Sequence, residues 1–245
     1  MKPSVLFLFF LTLGNLTPAI HTLQAQITVN NDFTQQDLVN LGSLSPYSPG
    51  VRGFDNRYEG VKGSPYWYED WQNGYIVVQD KGKISQPVSL QLDQYNRTLY
   101  FRIEGKTSGY LPAKQIQSVE LENGDFWGSF PESLVESQKS DKWKFYRVLH
   151  RGNFTLLKSG DKILKKADYQ GAYSPDRRYD EFISEESYYF SADNKTFEKI
   201  RLRKKTIIKI FPDREVQINN LLRKNDWDSE TESGFVALLK ALETK

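Results

Sequence analysis

Turn signals recur at short, even spacing along this chain, between runs in which apolar and polar residues alternate, and this pattern most constrains its fold. Asp80-Lys81-Gly82-Lys83 separates a strand-like run at Tyr75–Gln79 from another at Ile84–Leu92, where Val88, Leu90 and Leu92 alternate with polar neighbours. That period of two marks half-buried strands, and Pro87 inside the second run marks an edge or a bulge. Thr98–Glu104 follows a turn at 94–97. Ile116–Glu122 meets Asn123-Gly124, a strong hairpin signal, and Asp125–Phe130 returns.

Lys142–Arg151, Phe154–Ser159 and Lys162–Tyr169 are then expected as strands joined by two-residue turns at Gly152-Asn153 and Gly160-Asp161. A polar Arg-rich loop from Tyr173 leads to a last hairpin, Ser187–Ser191 and Phe197–Arg203, around Ala192-Asp193-Asn194. About eleven short, sequential strands imply an α+β chain that is mainly β, a curved antiparallel meander or open barrel.

The period changes after residue 203. Ile207, Ile210 and Phe211 share a helical face that Pro212 ends. Asp213 is placed to cap a helix carrying Ile218, Leu221 and Leu222. Ser229 and Glu232 read as a capping box before Phe235, Leu238, Leu239 and Leu242, whose spacing gives one apolar stripe. Helices over 204–245 are expected to pack against the sheet.

At the other end, Lys2 followed by the apolar run Val5–Leu13 and by Ala25 reads as a secretory signal peptide, 1–25. Residues 26–60 read as a polar arm with at most one short helix near Thr34–Leu41, and 61–245 as one β-rich domain. Export to a periplasmic or extracellular location follows. The absence of Cys leaves an exported fold held by packing alone. A net charge of +2 gives no support to a nucleic-acid partner, and no later run is apolar enough to span a membrane.

The chemistry on offer is thin. Of the two His residues, His21 lies in the leader and His150 on a strand. There is no Cys nucleophile and no Gly-x-Ser-x-Gly elbow. Asp226–Glu230 begins like a calcium loop, but Thr231 stands where that loop needs Gly, and Ala237 where it needs Glu. No metal or cofactor is therefore expected, and the residues point away from catalysis. A hydrolase using unassigned carboxylates stays open.

Two binding candidates stand out. Tyr66, Trp67, Tyr68 and Trp71 lie in Val61–Gln79 and could stack on sugar rings, or could plug the start of the meander. Lys199, Arg201 and Arg203 alternate with Ile200 and Leu202, and could contact an anion or form the solvated face of an edge strand. The stretches GSPYWYEDWQNGYI and SEESYYFSADNKTFEKIRLRKKTIIKIF, with the closing helices, resemble a family of secreted proteins of Bacteroidota-type bacteria. The resemblance runs from about Tyr58 onward and implies an envelope location, but no activity. The expected partner is an envelope protein or a glycan.

Overall fold

A computed structural model describes residues 33–43, 58, 60–103, 109–136, 139–167 and 179–244. The leader, most of the arm and the Arg-rich stretch 173–178 fall outside them. Among the described residues, eleven strands form one open sheet: β1 (Gln72–Val78), β2 (Gly82–Lys83), β3 (Val88–Asp93), β4 (Thr98–Arg102), β5 (Gly109–Pro112), β6 (Ile116–Leu121), β7 (Phe126–Pro131), β8 (Trp143–Arg151), β9 (Thr155–Lys165), β10 (Glu181–Ser191) and β11 (Glu198–Ile200). Their order is β11-β10-β9-β8-β7-β6-β1-β3-β4-β5, with β2 beside β1, and each of these pairs is antiparallel. The expected mainly-β class with C-terminal helices holds. No described helix is long and apolar enough to cross a membrane.

Alternation divides the sheet into two faces. The inner face carries Ile76, Leu90, Leu92, Leu99, Phe101, Leu111, Val119, Trp127 and Phe145, all essentially buried. α1 (Gln35–Ser43) adds Leu38 to this core, and Phe33 joins it just before the helix. The Thr34 and Asp37 side chains cap the helix reciprocally: Thr34 N–H donates to Asp37 Oδ2 at 2.9 Å, and Asp37 N–H to Thr34 Oγ1 at 3.2 Å. This helical part of the arm is thus packed into the fold.

Further along the inner face, α3 (Lys204–Ile210), α4 (Glu215–Asn225) and α5 (Glu232–Glu243) close over Leu156 and Phe190. Ile207, Ile218, Phe235, Leu238, Leu239 and Leu242 complete that second core. A smaller cluster on the outer face joins Tyr146, Leu157 and Tyr189 to Phe197 and to Val135 of α2 (Glu132–Val135).

Several local expectations are corrected. Gly160-Asp161 is no turn, because β9 runs unbroken through it and pairs with β10 along its whole length. The glycine serves packing: a Cβ there would meet Trp67 Cζ3 at 1.6 Å. We expect Gly160→Ala to cost about 1–3 kcal/mol, the usual range for overpacking. In a Trp67→Ala background the same change should be close to neutral, as a denaturant-melt cycle would show.

Gly152-Asn153 does lie in the β8–β9 hairpin, but Arg151 faces Thr155, so the loop holds three residues, and neither Gly152 nor Asn153 has positive φ. A Cβ on Gly152 would meet the Glu243 carboxylate at 2.5 Å, so close approach of α5 fixes this glycine. The run 84–92 is split, with β3 starting only after Pro87, and β11 stops at Ile200 because the chain turns into α3. Asp213 sits inside a 3-10 turn, and Arg214 occupies the N-cap of α4 without a side-chain bond. The cap of α5 is Thr231, whose Oγ1 accepts from Gly234 N–H at 3.1 Å, and Glu232 points elsewhere.

Candidate functional site

Val61–Gln79 bridges to β10 at Lys62 and to β3 at Tyr66 before it enters β1, and its aromatic side chains part company on the way. Tyr66 bridges to Asp93 of β3, and Trp67 N–H donates to Leu92 O at 3.0 Å. Trp67 turns inward, with its ring 4.7 Å from Trp127 and its edge on Gly160. Tyr68 also packs toward Trp127, and its hydroxyl donates to Asp125 Oδ2.

Tyr66 and Trp71 are associated with the outer side of β3 and β4. Tyr66 meets Tyr100 edge-on at 6.2 Å, and Tyr100 lies 6.0 Å from Tyr110 of β5. The Arg102 guanidinium sits 4.4 Å over the Trp71 ring. The structure therefore gathers half-buried Tyr66, Tyr100 and Tyr110, with Trp71 under Arg102, and places Trp67 and Tyr68 against the core. Tyr100 and Tyr110 were missed in the sequence, although Tyr100 and Arg102 alternate with Leu99, Phe101 and Ile103 and so had to face outward.

Beside Trp67 the inner face carries a charged network. Lys158 pairs with Glu232 at 2.7 Å and with Glu186 at 2.8 Å, and Tyr188 Oη donates to Glu232 at 2.9 Å. Arg147 pairs with Asp125 and lies 3.7 Å from Glu232. The network ties the first turn of α5 to β8, β9 and β10. Burial works to raise the Glu232 carboxyl, but the hydrogen bonds from Lys158 and Tyr188 outweigh it and hold it low. Burial, with the Asp125 hydrogen bond, pushes Tyr68 up to about 12. Burial, with the Glu232 hydrogen bond, does the same for Tyr188.

The outer face holds a second polar group. Lys144 is 2% exposed, and its Nζ lies 2.6 Å from both Glu136 Oε1 and Asp161 Oδ1. Tyr146 Oη donates to the same Glu136 oxygen at 2.9 Å. Burial opposes ionisation of Glu136, yet the Lys144 ammonium and the Tyr146 hydroxyl keep its carboxyl below its ordinary value. Beside this group lies a cavity of about 310 Å³ lined by Val135, Glu136, Asp161, Tyr189 and Phe197, with Glu185, Ser187 and Lys199 also on its wall. Lys199 thus faces carboxylates, while Arg201 and Arg203 are exposed around buried Leu202. Arg201 and Arg203 are not among the residues that line that cavity.

These shifts set two pH limits. Glu136 and Glu232 bind protons less readily folded than unfolded, so their contribution to stability is complete above about 4.5 and is lost as pH falls below it. Tyr68, Tyr188 and Tyr189 are raised from 10 to about 12, so their contribution is complete below 10 and is lost as pH rises between those values. Urea midpoints across pH should show a plateau with both shoulders.

His150 serves the β8–β9 hairpin. Its Nε2 lies 3.0 Å from Glu243 Oε1, and the same oxygen accepts Phe154 N–H at 3.0 Å. This joins the C-terminal turn of α5 to the hairpin and accounts for the histidine structurally. No family model, curated protein or solved structure matches the chain.

Proposed function

We propose that this chain is an exported, non-enzymatic binding protein of a bacterial envelope, and that it holds a glycan on the outer face of β3–β5. The observation that carries the reading is the row Tyr66–Tyr100–Tyr110, its rings 6.2 and 6.0 Å apart, flanked by Arg102 over Trp71. Flat aromatic surfaces suit the C–H faces of sugar rings, and a guanidinium beside them offers several hydrogen bonds to hydroxyl or carboxylate oxygens. The envelope location rests on the leader pattern of Lys2 and Val5–Leu13 and on the family resemblance.

A hydrolase reading is less well supported. Glu136 and Asp161 share a cavity wall, yet both bond the Lys144 ammonium, and a carboxyl held low is a poor proton donor. The binding reading is tested by titrating the mature chain with laminarin, chitin oligosaccharides and alginate by calorimetry. One class should bind, and Tyr100→Ala should weaken it by about tenfold or more, the effect of losing roughly 1.4 kcal/mol. Absence of binding across the panel, or binding that Tyr100→Ala and Tyr110→Ala leave unchanged, would sink the reading.

A further inference from the structure

We infer that the outward edge of β10 accepts an extended, lysine-bearing segment of a partner protein as an added strand, with the lysine side chain in the cavity beside Glu185. The inference is independent of the glycan reading and uses the other end of the sheet.

The starting point is a mismatch of lengths. β9 pairs with β10 over all eleven positions from Glu181 to Ser191. On the other side, β11 covers only Tyr188–Phe190, and Lys62 bridges at Glu181. Lys62 N–H donates to Asp180 O, and Phe182 N–H donates to Lys62 O, both at 2.8 Å. Asp180 and Phe182 thus turn their main-chain groups outward. The register with β9 has no bulge, so Ser184 and Glu186 must do the same, while Ile183, Glu185 and Ser187 turn theirs toward β9. Among the described residues, no strand meets the outward groups of Ser184 and Glu186. Ile183 and Ser187 are four steps apart, about 13–14 Å at the usual rise, which a strand of roughly five residues matches.

The side chains there select what can fill it. Glu181, Glu185 and Glu186 are all exposed; Lys158 pairs with Glu186 on the inner face, which leaves Glu181 and Glu185 to disfavour an acidic strand, a usual protection against edge-to-edge pairing. A basic strand meets the opposite field. The residue facing Glu185 would project on the outer face, over the cavity of about 310 Å³ whose walls include Asp161, Glu136, Tyr189 and Phe197. Lys144 engages two of those carboxylates, and Lys199 stands on the same wall. After burial, the Glu136 and Asp161 charges are the next causes of the upward shift of Tyr189, so the field at its hydroxyl is negative. Main-chain bonds would supply affinity and the cavity specificity, the division of labour of strand addition.

The probe is the peptide acetyl-Thr-Val-Lys-Val-Thr-amide, added to the ¹⁵N-labelled mature chain. In the free protein the Ser184 and Glu186 amides should exchange quickly while Ile183 and Glu185 are protected. The peptide should shift the first two amides and slow their exchange. Norleucine in place of lysine should weaken binding about tenfold or more, as should Glu185→Gln on the exposed edge. N-methylation of the peptide backbone should abolish binding, a readout that needs no protein variant. The inference is overturned if Ser184 and Glu186 are already protected in the free chain, because its own residues then fill the edge. It is also overturned if the norleucine peptide binds equally well, if binding leaves those amides unmoved, or if the peptide fails to bind at about 1 mM.

Discussion

Lys144→Met should destabilise the fold by about 3 kcal/mol, the lower end of the range for breaking a buried ion pair. Lys144 is 2% exposed and neutralises Glu136, whose side chain is 11% exposed, together with the more open Asp161. Removing the ammonium leaves the Glu136 charge buried without its ion-pair partner, while the Tyr146 hydroxyl still bonds it. In a fold of this size that corresponds to a fall in Tm of roughly 6–12 °C. Calorimetry would measure it. Adding Glu136→Leu to the Lys144 variant should recover part of the loss, because the stranded charge goes too. If Lys144→Met is neutral, water reaches the group and the Glu136 carboxylate is not buried.

Leu239→Ala should cost about 2–5 kcal/mol, the range for emptying a packed leucine site. Leu239 is fully buried with Leu238 and Phe235 in the cluster that α5 builds on Leu156 and Phe190. A helix as short as α5 is marginal alone in water, so it forms because this stripe is covered. Thr231→Ala removes the cap at the other extreme of effect, about 1 kcal/mol. Urea melts of the two variants should keep that order. A near-neutral Leu239→Ala would mean that α5 is not part of the core.

The period-two runs made the sheet legible, and the helical stripe identified the closing helix. What stayed hidden was contact between distant segments. Gly160 followed by Asp161 reads as a turn because glycine usually signals positive φ. Only Trp67, placed from far earlier in the chain, explains a glycine in mid-strand. Gly152 was misread for the same reason, its neighbour being Glu243 near the far end. Ser229 and Glu232 match a capping box, but Lys158 takes the glutamate, a tertiary choice that local spacing does not encode. In the candidate site, the aromatic stretch was visible as one cluster. Its division between faces depends on the bridge from Tyr66 to β3, and Tyr100 and Tyr110 belong to strands that local spacing does not link to it.

The position of β1 bears on how the chain reaches this fold. From β6 to β11 each strand pairs with the next in sequence, so that half of the sheet is assembled by short loop closures. β1 instead lies between β3 and β6, and its pairing with β6 must wait until the intervening strands have been made and brought round. Long closures slow folding because their entropy is lost before the contact forms. A refolding experiment should therefore show the β6–β11 amides protected first and Ile76 and Val78 last. An Ile76→Ala change on β1 would then act mainly on the unfolding rate, since the contacts of β1 form after the barrier. Equal, early protection of β1 would show that the two halves nucleate together.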